Sequence, residues 1–176
     1  MAARTKPKKL DADGLWSYAL RTLGYRAHSA NELQQKLSRR AESSSVLCAT
    51  LAKLRDYGFT DDAKFSESFA AARLQNQGFG RFRVLRELRS KRVAPSLAEH
   101  AVEKAFSGTN EEELIKQFLA RKYRGKNLAG FLAEEKNLAA VYRRLRTAGF
   151  STSRVLSVLK QYSSKADDWS ELETEE

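Results

Sequence analysis

One helical pattern recurs three times along this 176-residue chain, and this recurrence limits the possible folds more than any other feature. The copies align on Leu37, Leu88 and Leu145, which lie 51 and 57 residues apart. Around each leucine, apolar residues follow the three- and four-residue spacing of a helix buried on one face. One unit of three short helices cannot bury all its apolar faces, whereas neighbouring units stacked in a row can. The pattern predicts an all-α protein, with three tandem three-helix repeats forming an elongated, curved helical array.

The segment boundaries follow from where the apolar stripes begin and end. We predict a basic disordered N-terminal arm over 1–12, three-helix repeats over 13–57, 61–107 and 111–162, and an acidic disordered tail over 163–176. Ser29 followed by Glu32 is the spacing of a capping box, which satisfies free N–H groups at a helix start. Within the third repeat, residues 125–135 lack the helical spacing and are predicted to form a loop.

The charge of the chain points to an anionic partner. The formal net charge is +10, from 32 Lys and Arg against 22 Asp and Glu. The tail over 163–176 contains six acids and one lysine, so the rest of the chain is more basic than the total indicates. Such a surface attracts phosphate backbones or an acidic protein groove. The acidic tail could compete for this basic body or only increase solubility, and the sequence leaves both open.

The sequence offers no catalytic or cofactor-binding pattern. A single cysteine, Cys48, and two histidines are too few for a zinc site or an internal disulfide. We interpret Cys48 as a small core residue, and His28 and His100 as structural or solvated. Gly78–Gly80 lacks a phosphate-loop lysine and is read as a flexible connector. We therefore expect a binding protein without metal, cofactor or small-molecule substrate, and not an enzyme.

No apolar run approaches 18 residues, and the lysine-containing N-terminus is not followed by the apolar core of a secretory signal. We therefore expect a cytoplasmic protein without a membrane partner.

The strongest local feature is a basic helix in the second repeat. Six of the thirteen residues from Gly80 to Arg92 are Lys or Arg. At about 100° per residue, Val84 and Leu88 face inward, so Arg83, Arg86 and Arg89 are expected to point outward.

The third repeat has arginines at matching positions. Arg143 and Arg146 follow Arg86 and Arg89 by 57 residues, and Arg144 replaces Glu87. Planar guanidinium groups bind phosphates and carboxylates in a bidentate manner, so stacked repeats would form a broken basic ridge. The predicted partner- and nucleic-acid-binding residues are Arg83, Arg86, Arg89, Arg143, Arg144 and Arg146, with secondary contacts from Phe82, Lys91, Arg121, Lys122 and Arg124.

Three segments, in order, resemble the RecX family of recombinase regulators. Residues 29–37 resemble the family's Ser-x-x-Glu-Leu-x-x-Lys-Leu motif, residues 57–73 resemble its central signature, and residues 80–93 resemble the helix that follows. The resemblance extends over about 13–162. Arg92 stands where the family usually has glycine, and Ala94-Pro95 replaces the usual acidic cap.

The resemblance implies a monomeric modulator of the RecA recombinase. Such proteins bind RecA and its filament on single-stranded DNA, lie along the filament groove, and inhibit ATP hydrolysis, strand exchange and filament growth.

Two other functions remain open at this point. Residues 138–162 read as helix, turn, helix, which could make a direct DNA-binding protein with Arg154 and Lys160 on its second helix. A helical-repeat adaptor that binds only proteins would instead have no affinity for single-stranded DNA.

Overall fold

The structure, a computed structural model, describes residues 8–163 and residue 166. Over this range it is all-α, which confirms the predicted fold class. The helices are α1 (Ala12–Tyr25), α2 (Ala30–Ser38), α3 (Ser44–Asp56), α4 (Asp62–Ala72), α5 (Arg81–Ser90), α6 (Pro95–Phe106), α7 (Glu111–Lys122), α8 (Leu128–Leu132), α9 (Glu135–Thr147) and α10 (Thr152–Lys160). A π-helical turn, Arg73–Gln77, continues α4. The described residues contain no β-strand.

The chain divides into two compact units. Unit 1 contains the described residues up to Ser68 together with Leu88–Ala101, and unit 2 contains Phe69–Glu87 together with the described residues from Val102 onward. Three helices fall within each of the first two predicted repeats, and α7 to α10 fall within the third. The repeat boundaries themselves remain a prediction.

Unit 1 has a core built by α1, α2 and α3. Leu15, Leu33, Leu37 and Leu54 are fully buried there, as their helical spacing requires. The predicted capping box at α2 is confirmed, because the Ser29 side chain accepts from the Glu32 backbone N–H and Glu32 accepts from that of Ser29. The buried α2 start thus has its backbone donors satisfied.

The N-terminal arm differs from the expectation at its inner end. Leu10 N–H donates to Arg40 O over 2.7 Å, and Leu10 O accepts from Glu42 N–H over 3.0 Å. Helix α1 begins at Ala12 with Asp11 as its N-cap. Residues 10–12 are therefore ordered parts of unit 1, whereas residues 1–7 of the predicted arm lie outside the described residues. The predicted tail lies outside them too, apart from Ser163 and Ala166.

Unit 2 has a core in which α10 packs against both α7 and α9. Ile115, Leu138, Leu145 and Phe150 are fully buried in it. The segment 125–135 was predicted to be a loop, but it contains the short helix α8, which packs on α9. The Asn127 side chain accepts from Gly130 N–H at the α8 start, and this asparagine cap is the local signal that the periodicity argument overlooked.

Within unit 2, the C-terminal turn of α9 meets the N-terminus of α5. Gly80 N–H donates to Ala148 O over 2.9 Å, and Phe82 N–H donates to Gly149 O over 3.1 Å. Gly149 has φ +91°, and a Cβ placed there would overlap the Arg83 backbone. Gly80 and Gly149 allow two backbones to pass in contact, so Gly78–Gly80 is not the flexible connector predicted from the sequence. This junction holds the start of α5 against the turn that follows α9.

Candidate functional site

A basic groove lies in unit 2, where α5, α7, α9 and the π-helical turn come together. Its volume is about 670 Å³. Five cations line it, and the other lining residues are neutral or apolar. The cations are Arg83, Arg121, Lys122, Arg143 and Arg144, and the remaining lining residues are Asn76, Gln77, Phe79, Phe118, Thr147 and Ala148. No carboxylate is among the lining residues, so the groove concentrates positive charge and favours an anionic ligand.

The ends of two helices supply four of the five cations. Arg121 and Lys122 belong to the last turn of α7, and Arg143 and Arg144 to the C-terminal half of α9. Cations are favourable there because backbone carbonyls give a helix C-terminus partial negative charge. Burial of the neighbouring Leu145 in the core sets the rotation of α9, which turns the arginine pair towards the groove.

Arg83 forms a fixed wall of the groove rather than an outward-pointing ligand, which corrects the predicted orientation. Its Nε donates to Glu87 over 2.9 Å, and its guanidinium lies 3.7 Å from the centroid of the Phe79 ring. Arg73 Nε donates to the same carboxylate over 2.7 Å. Burial raises the pKa of Glu87, but hydrogen bonds from Arg83 and Arg73 outweigh it and hold the pKa below its ordinary value. Glu87 therefore remains ionised and neutralises part of this wall.

The other four groove cations differ in how far they are already engaged. Arg121 Nη2 donates to Gln77 O, and Arg144 Nη1 donates to the Tyr123 hydroxyl over 3.2 Å. The side chains of Lys122 and Arg143 are exposed and form no hydrogen bond or ion pair with any described residue. These two side chains are the ones free to bind an incoming anion.

The remaining residues of the predicted ridge lie outside the groove lining. Arg86 Nη2 donates to Thr147 O over 3.3 Å, which places it beside the groove. Arg146 Nη1 donates to Phe150 O over 2.9 Å and so closes the turn that follows its own helix. Arg89 pairs with Glu99 over 3.1 Å in unit 1. The single track of arginines across the repeats therefore stays a prediction.

The residues predicted as secondary contacts also lie at different places in the fold. Arg121 and Lys122 join the groove, whereas Lys91 Nζ pairs with Glu32 over 2.8 Å in unit 1. Arg124 is exposed and outside the lining, and Phe82 is 53% exposed.

An exposed aromatic cluster in unit 1 was not identified as a surface feature from the sequence. The rings of Trp16, Tyr57 and Phe59 lie 5.8–6.4 Å apart, and Lys53 Nζ lies 4.4 Å from the Trp16 centroid. Tyr57 is 67% exposed although it ends an apolar helix. The Tyr57-Gly58-Phe59 sequence could have indicated this exposed cluster, because residues beside a glycine that reverses the chain are seldom buried.

Two small predictions about unit 1 have different outcomes. His28 is buried, and its Nδ1 lies 2.9 Å from Arg26 O, as expected for a structural histidine. Burial lowers the pKa of His28, and the charges of Arg26 and Lys36 act in the same direction.

Cys48 is exposed, so its assignment to the core is wrong. Its stripe on α3 is only partly covered, because Val46, Leu47 and Leu51 are themselves half-buried.

Contacts within unit 2 engage part of the helix–turn–helix alternative. Ser151 Oγ donates to Glu111 over 2.7 Å, and Ser157 Oγ and Arg154 Nη1 both donate to Glu112 over 3.0 Å. These hydrogen bonds tie the start of α10 and its Arg154 to the start of α7. Lys160 is exposed, and direct DNA binding by this segment stays a prediction.

Within the described residues, no group of three or more His, Cys, Asp or Glu side chains is arranged to hold a metal ion. Over the same part of the chain, no helix has the length and apolar content needed to cross a membrane.

Comparison with known sequences identifies relatives along much of the chain. Residues 61–102 match the family model described as "RecX, second three-helix domain". The regulatory protein RecX of Halorhodospira halophila is 31% identical over 138 residues, covering 78% of this chain and 81% of the relative. The regulatory protein RecX of Photobacterium profundum is 28% identical over 145 residues, but this chain spans only 50% of its length. That of Chlorobaculum tepidum is 30% identical, and 64% of its length is spanned.

Solved structures share the fold. A crystal structure of regulatory protein RecX superposes with a TM-score of 0.67 at 24% identity, covering 85% of this chain and 73% of the other. The crystal structure of RecX from Lactobacillus salivarius gives a TM-score of 0.62 at 18% identity, covering 86% and 96%. At these identities the likeness concerns the fold alone.

Proposed function

This chain belongs to the RecX family of regulatory proteins, and from that premise we propose that it binds RecA and the RecA–single-stranded DNA filament and inhibits RecA. The inhibited steps are ATP hydrolysis, strand exchange and filament growth. The protein acts as a cytoplasmic monomer in recombination and DNA repair, and performs no chemistry of its own.

The observation that carries this proposal is the basic groove. It gathers five cations without a lining carboxylate, and two of them, Lys122 and Arg143, have no partner among the described residues. Ionised partners make stronger hydrogen bonds than neutral ones, and an arginine matches phosphate or carboxylate with two parallel bonds. A filament of DNA and protein offers both kinds of anion, so the groove fits this partner class.

Contacts to the phosphate backbone would make binding sensitive to salt. Each neutralised phosphate of a single strand releases counterions, with a slope of about −0.7 in log K against log salt. Two open cations with Arg86 beside them correspond to a slope of about −2 for this surface. The apolar lining residues Phe79 and Phe118 would limit competition by water at the bottom of the groove.

The test reverses the charge of the two open cations. A Lys122→Glu/Arg143→Glu variant is expected to inhibit RecA ATPase about tenfold less effectively, because it repels anions from the groove. The matched control is Arg21→Glu/Lys136→Glu, which makes the same charge change at exposed positions outside the groove lining. Circular dichroism should show equal helicity for both. Full inhibition by the groove variant would contradict the proposal.

A second arm separates the filament from its components. Binding to a short oligodeoxythymidylate without RecA, measured by fluorescence anisotropy, should be detectable at low salt and lost in the groove variant. Absence of any such binding would favour the protein-only adaptor, and strong preference among duplex sequences would favour direct readout by α10.

A further inference from the structure

We propose that the basic groove is also the docking site of the chain's own acidic tail, residues 167–176, which competes there with external anions. The effect of this competition on RecA rests on the proposed function, whereas the docking itself does not. The tail would act as a built-in competitor that an anionic partner must displace.

The charges of the two segments are complementary. The tail contains six acids and no Lys, Arg or His. The acids are Asp167, Asp168, Glu171, Glu173, Glu175 and Glu176. The groove has five cations, and no carboxylate lines it to oppose them. A carboxylate-rich segment could therefore supply the anions that Lys122 and Arg143 lack within unit 2.

The groove also has an apolar side that suits the tail. Phe79, Phe118 and Ala148 line it together with the cations. The tail carries Trp169 and Leu172 between its acids. A segment that is both acidic and partly apolar can bury an apolar side chain in the groove while its carboxylates contact the cations. A tail that only increased solubility would not need Trp169 and Leu172.

The tether makes the contact possible within one molecule. Ala166, the last described residue before the tail, is fully buried in the unit 2 core. The same core cluster contains Phe118, which lines the groove. Ten further residues reach up to about 35 Å when extended. A connection this short gives a tethered segment an effective concentration in the millimolar range, so even weak docking is populated.

Docking of this kind has a defined salt dependence. Charge pairs at an exposed groove weaken strongly as the Debye length shrinks from about 30 Å at 0.01 M salt to about 3 Å at 1 M. The tail should therefore occupy the groove at low salt and leave it at high salt. A ligand with more closely spaced anions would displace it.

The first experiment observes the tail directly, with neither RecA nor DNA present. Trp16 and Trp169 are the two tryptophans of the chain, so the Trp16→Phe variant leaves Trp169 as the sole reporter. Quenching by acrylamide, a neutral quencher, should be about twofold weaker at low salt than at ~0.5 M salt, because docking shields the indole. Adding Lys122→Glu/Arg143→Glu should remove the difference, whereas adding Arg21→Glu/Lys136→Glu should preserve it.

Two results would overturn the inference. One is quenching of Trp169 that does not respond to reversal of the groove cations. The other is an equal response to the control reversal, which would show that only net charge matters. Circular dichroism of the Trp16→Phe background verifies that the substitution leaves the helices intact.

The second experiment measures the competition. Replacing the six tail acids by Asn or Gln should tighten binding to oligodeoxythymidylate about tenfold at low salt, and by less than about twofold at ~0.5 M salt. Truncation after Ala166 should have the same effect, because it keeps the buried alanine. In the Lys122→Glu/Arg143→Glu background neither change should alter the affinity for oligodeoxythymidylate. The reason is that the tail and the DNA would bind the same groove, which this variant disables. Equal gains in both backgrounds would refute a shared groove.

The two proposals can fail separately. If Trp169 is released by groove reversal but RecA inhibition persists, tail docking stands and the proposed function falls. If inhibition is lost but Trp169 quenching never changes, the proposed function stands and the tail inference falls.

Discussion

The cations around Glu32 in unit 1 and most of the cations in the unit 2 groove differ in whether a carboxylate neutralises them. In unit 1, Glu32 accepts from Arg26 over 3.3 Å and from Lys91 over 2.8 Å, and the Lys91 side chain is only 18% exposed. In unit 2, the groove gathers five cations without a carboxylate among its lining residues. The first arrangement joins separate segments of the chain into one unit. The second leaves positive charge available to a ligand.

The difference shows that the placement of carboxylates, rather than the number of cations, separates cations engaged within the fold from cations left open. Glu32 and Glu87 each neutralise two cations, and those cations are no longer available. Lys122 and Arg143 lack such a neighbour and remain open. The following variants test this distinction, in order of decreasing expected effect.

Breaking the junction that builds the groove should have the largest effect. Gly149→Ala would force a side chain into the Arg83 backbone at φ +91°, and the combined overlap and strain should cost about 3 kcal/mol. Urea unfolding followed by circular dichroism measures the loss. The matched control is Gly24→Ala in α1, where nothing lies within 4 Å and stability should not fall. An unchanged urea midpoint for Gly149→Ala would show that the α5–α9 contact is wrong.

Removing the central carboxylate of unit 1 should have the next largest effect. Glu32→Gln keeps a capping-box side chain but leaves Arg26 and Lys91 without their anion, which should cost about 2 kcal/mol at pH 7.

The same carboxylate predicts a pH dependence. Burial raises the pKa of Glu32, but hydrogen bonds from Arg26 and Lys91 outweigh it and lower the pKa to about 2, against an ordinary value of 4.5. A depressed carboxyl pKa stabilises the fold above the unfolded value, so this contribution should disappear as the pH falls from about 4.5 towards 2. Thermal unfolding across this range should show a weaker acid dependence for Glu32→Gln than for the native chain. Parallel curves would contradict the assignment.

A pair of matched lysine substitutions makes the comparison direct. Lys91→Gln should lower the free energy of unfolding by about 1 kcal/mol, because it leaves the Glu32 carboxylate with one fewer partner. Lys122→Gln should leave it unchanged or raise it by a few tenths of a kcal/mol, because it relieves repulsion among the groove cations. Chemical denaturation of both variants provides the measurement. Equal losses would mean that Lys122 has a structural partner after all.

The smallest effect is expected at Arg92. This is the one residue other than glycine with positive φ within the described residues, at 56°. Arg92→Gly should stabilise the protein by about 0.5 kcal/mol, since glycine adopts this conformation without a Cβ conflict. Arg92→Ala removes the same charge but keeps the strain, so it should show no gain. A gain for alanine equal to that for glycine would assign the effect to charge.

Much of the fold could be predicted because its signals are local. The Ser29–Glu32 capping box and the apolar stripes ending at Leu37, Leu88 and Leu145 depend on spacing within one or two helical turns. Cys48 was misassigned because a periodic stripe indicates which side of α3 is apolar, but not how completely another element covers it. Helix α8 was missed because five residues are too few for a periodicity to emerge.

The candidate site could be predicted only in part. Helical geometry placed Arg143 and Arg144 together, since they are adjacent on α9, and the cluster Arg121–Lys122 is visible in the sequence. Geometry within one helix could not show that Glu87 and Phe79 engage Arg83, or that Arg146 turns to Phe150 O. These contacts depend on elements distant along the chain or on the turn after a helix.

The sequence by itself determined that the protein is helical, that α2 begins after Ser29, and that its body is basic, because spacing, caps and charge act over short distances along the chain. Only the tertiary structure decided which cations are neutralised and which remain open. That choice depends on which carboxylates and ring faces lie within about 4 Å after segments far apart in sequence have packed, and the Gly80–Gly149 contact brings two such segments together.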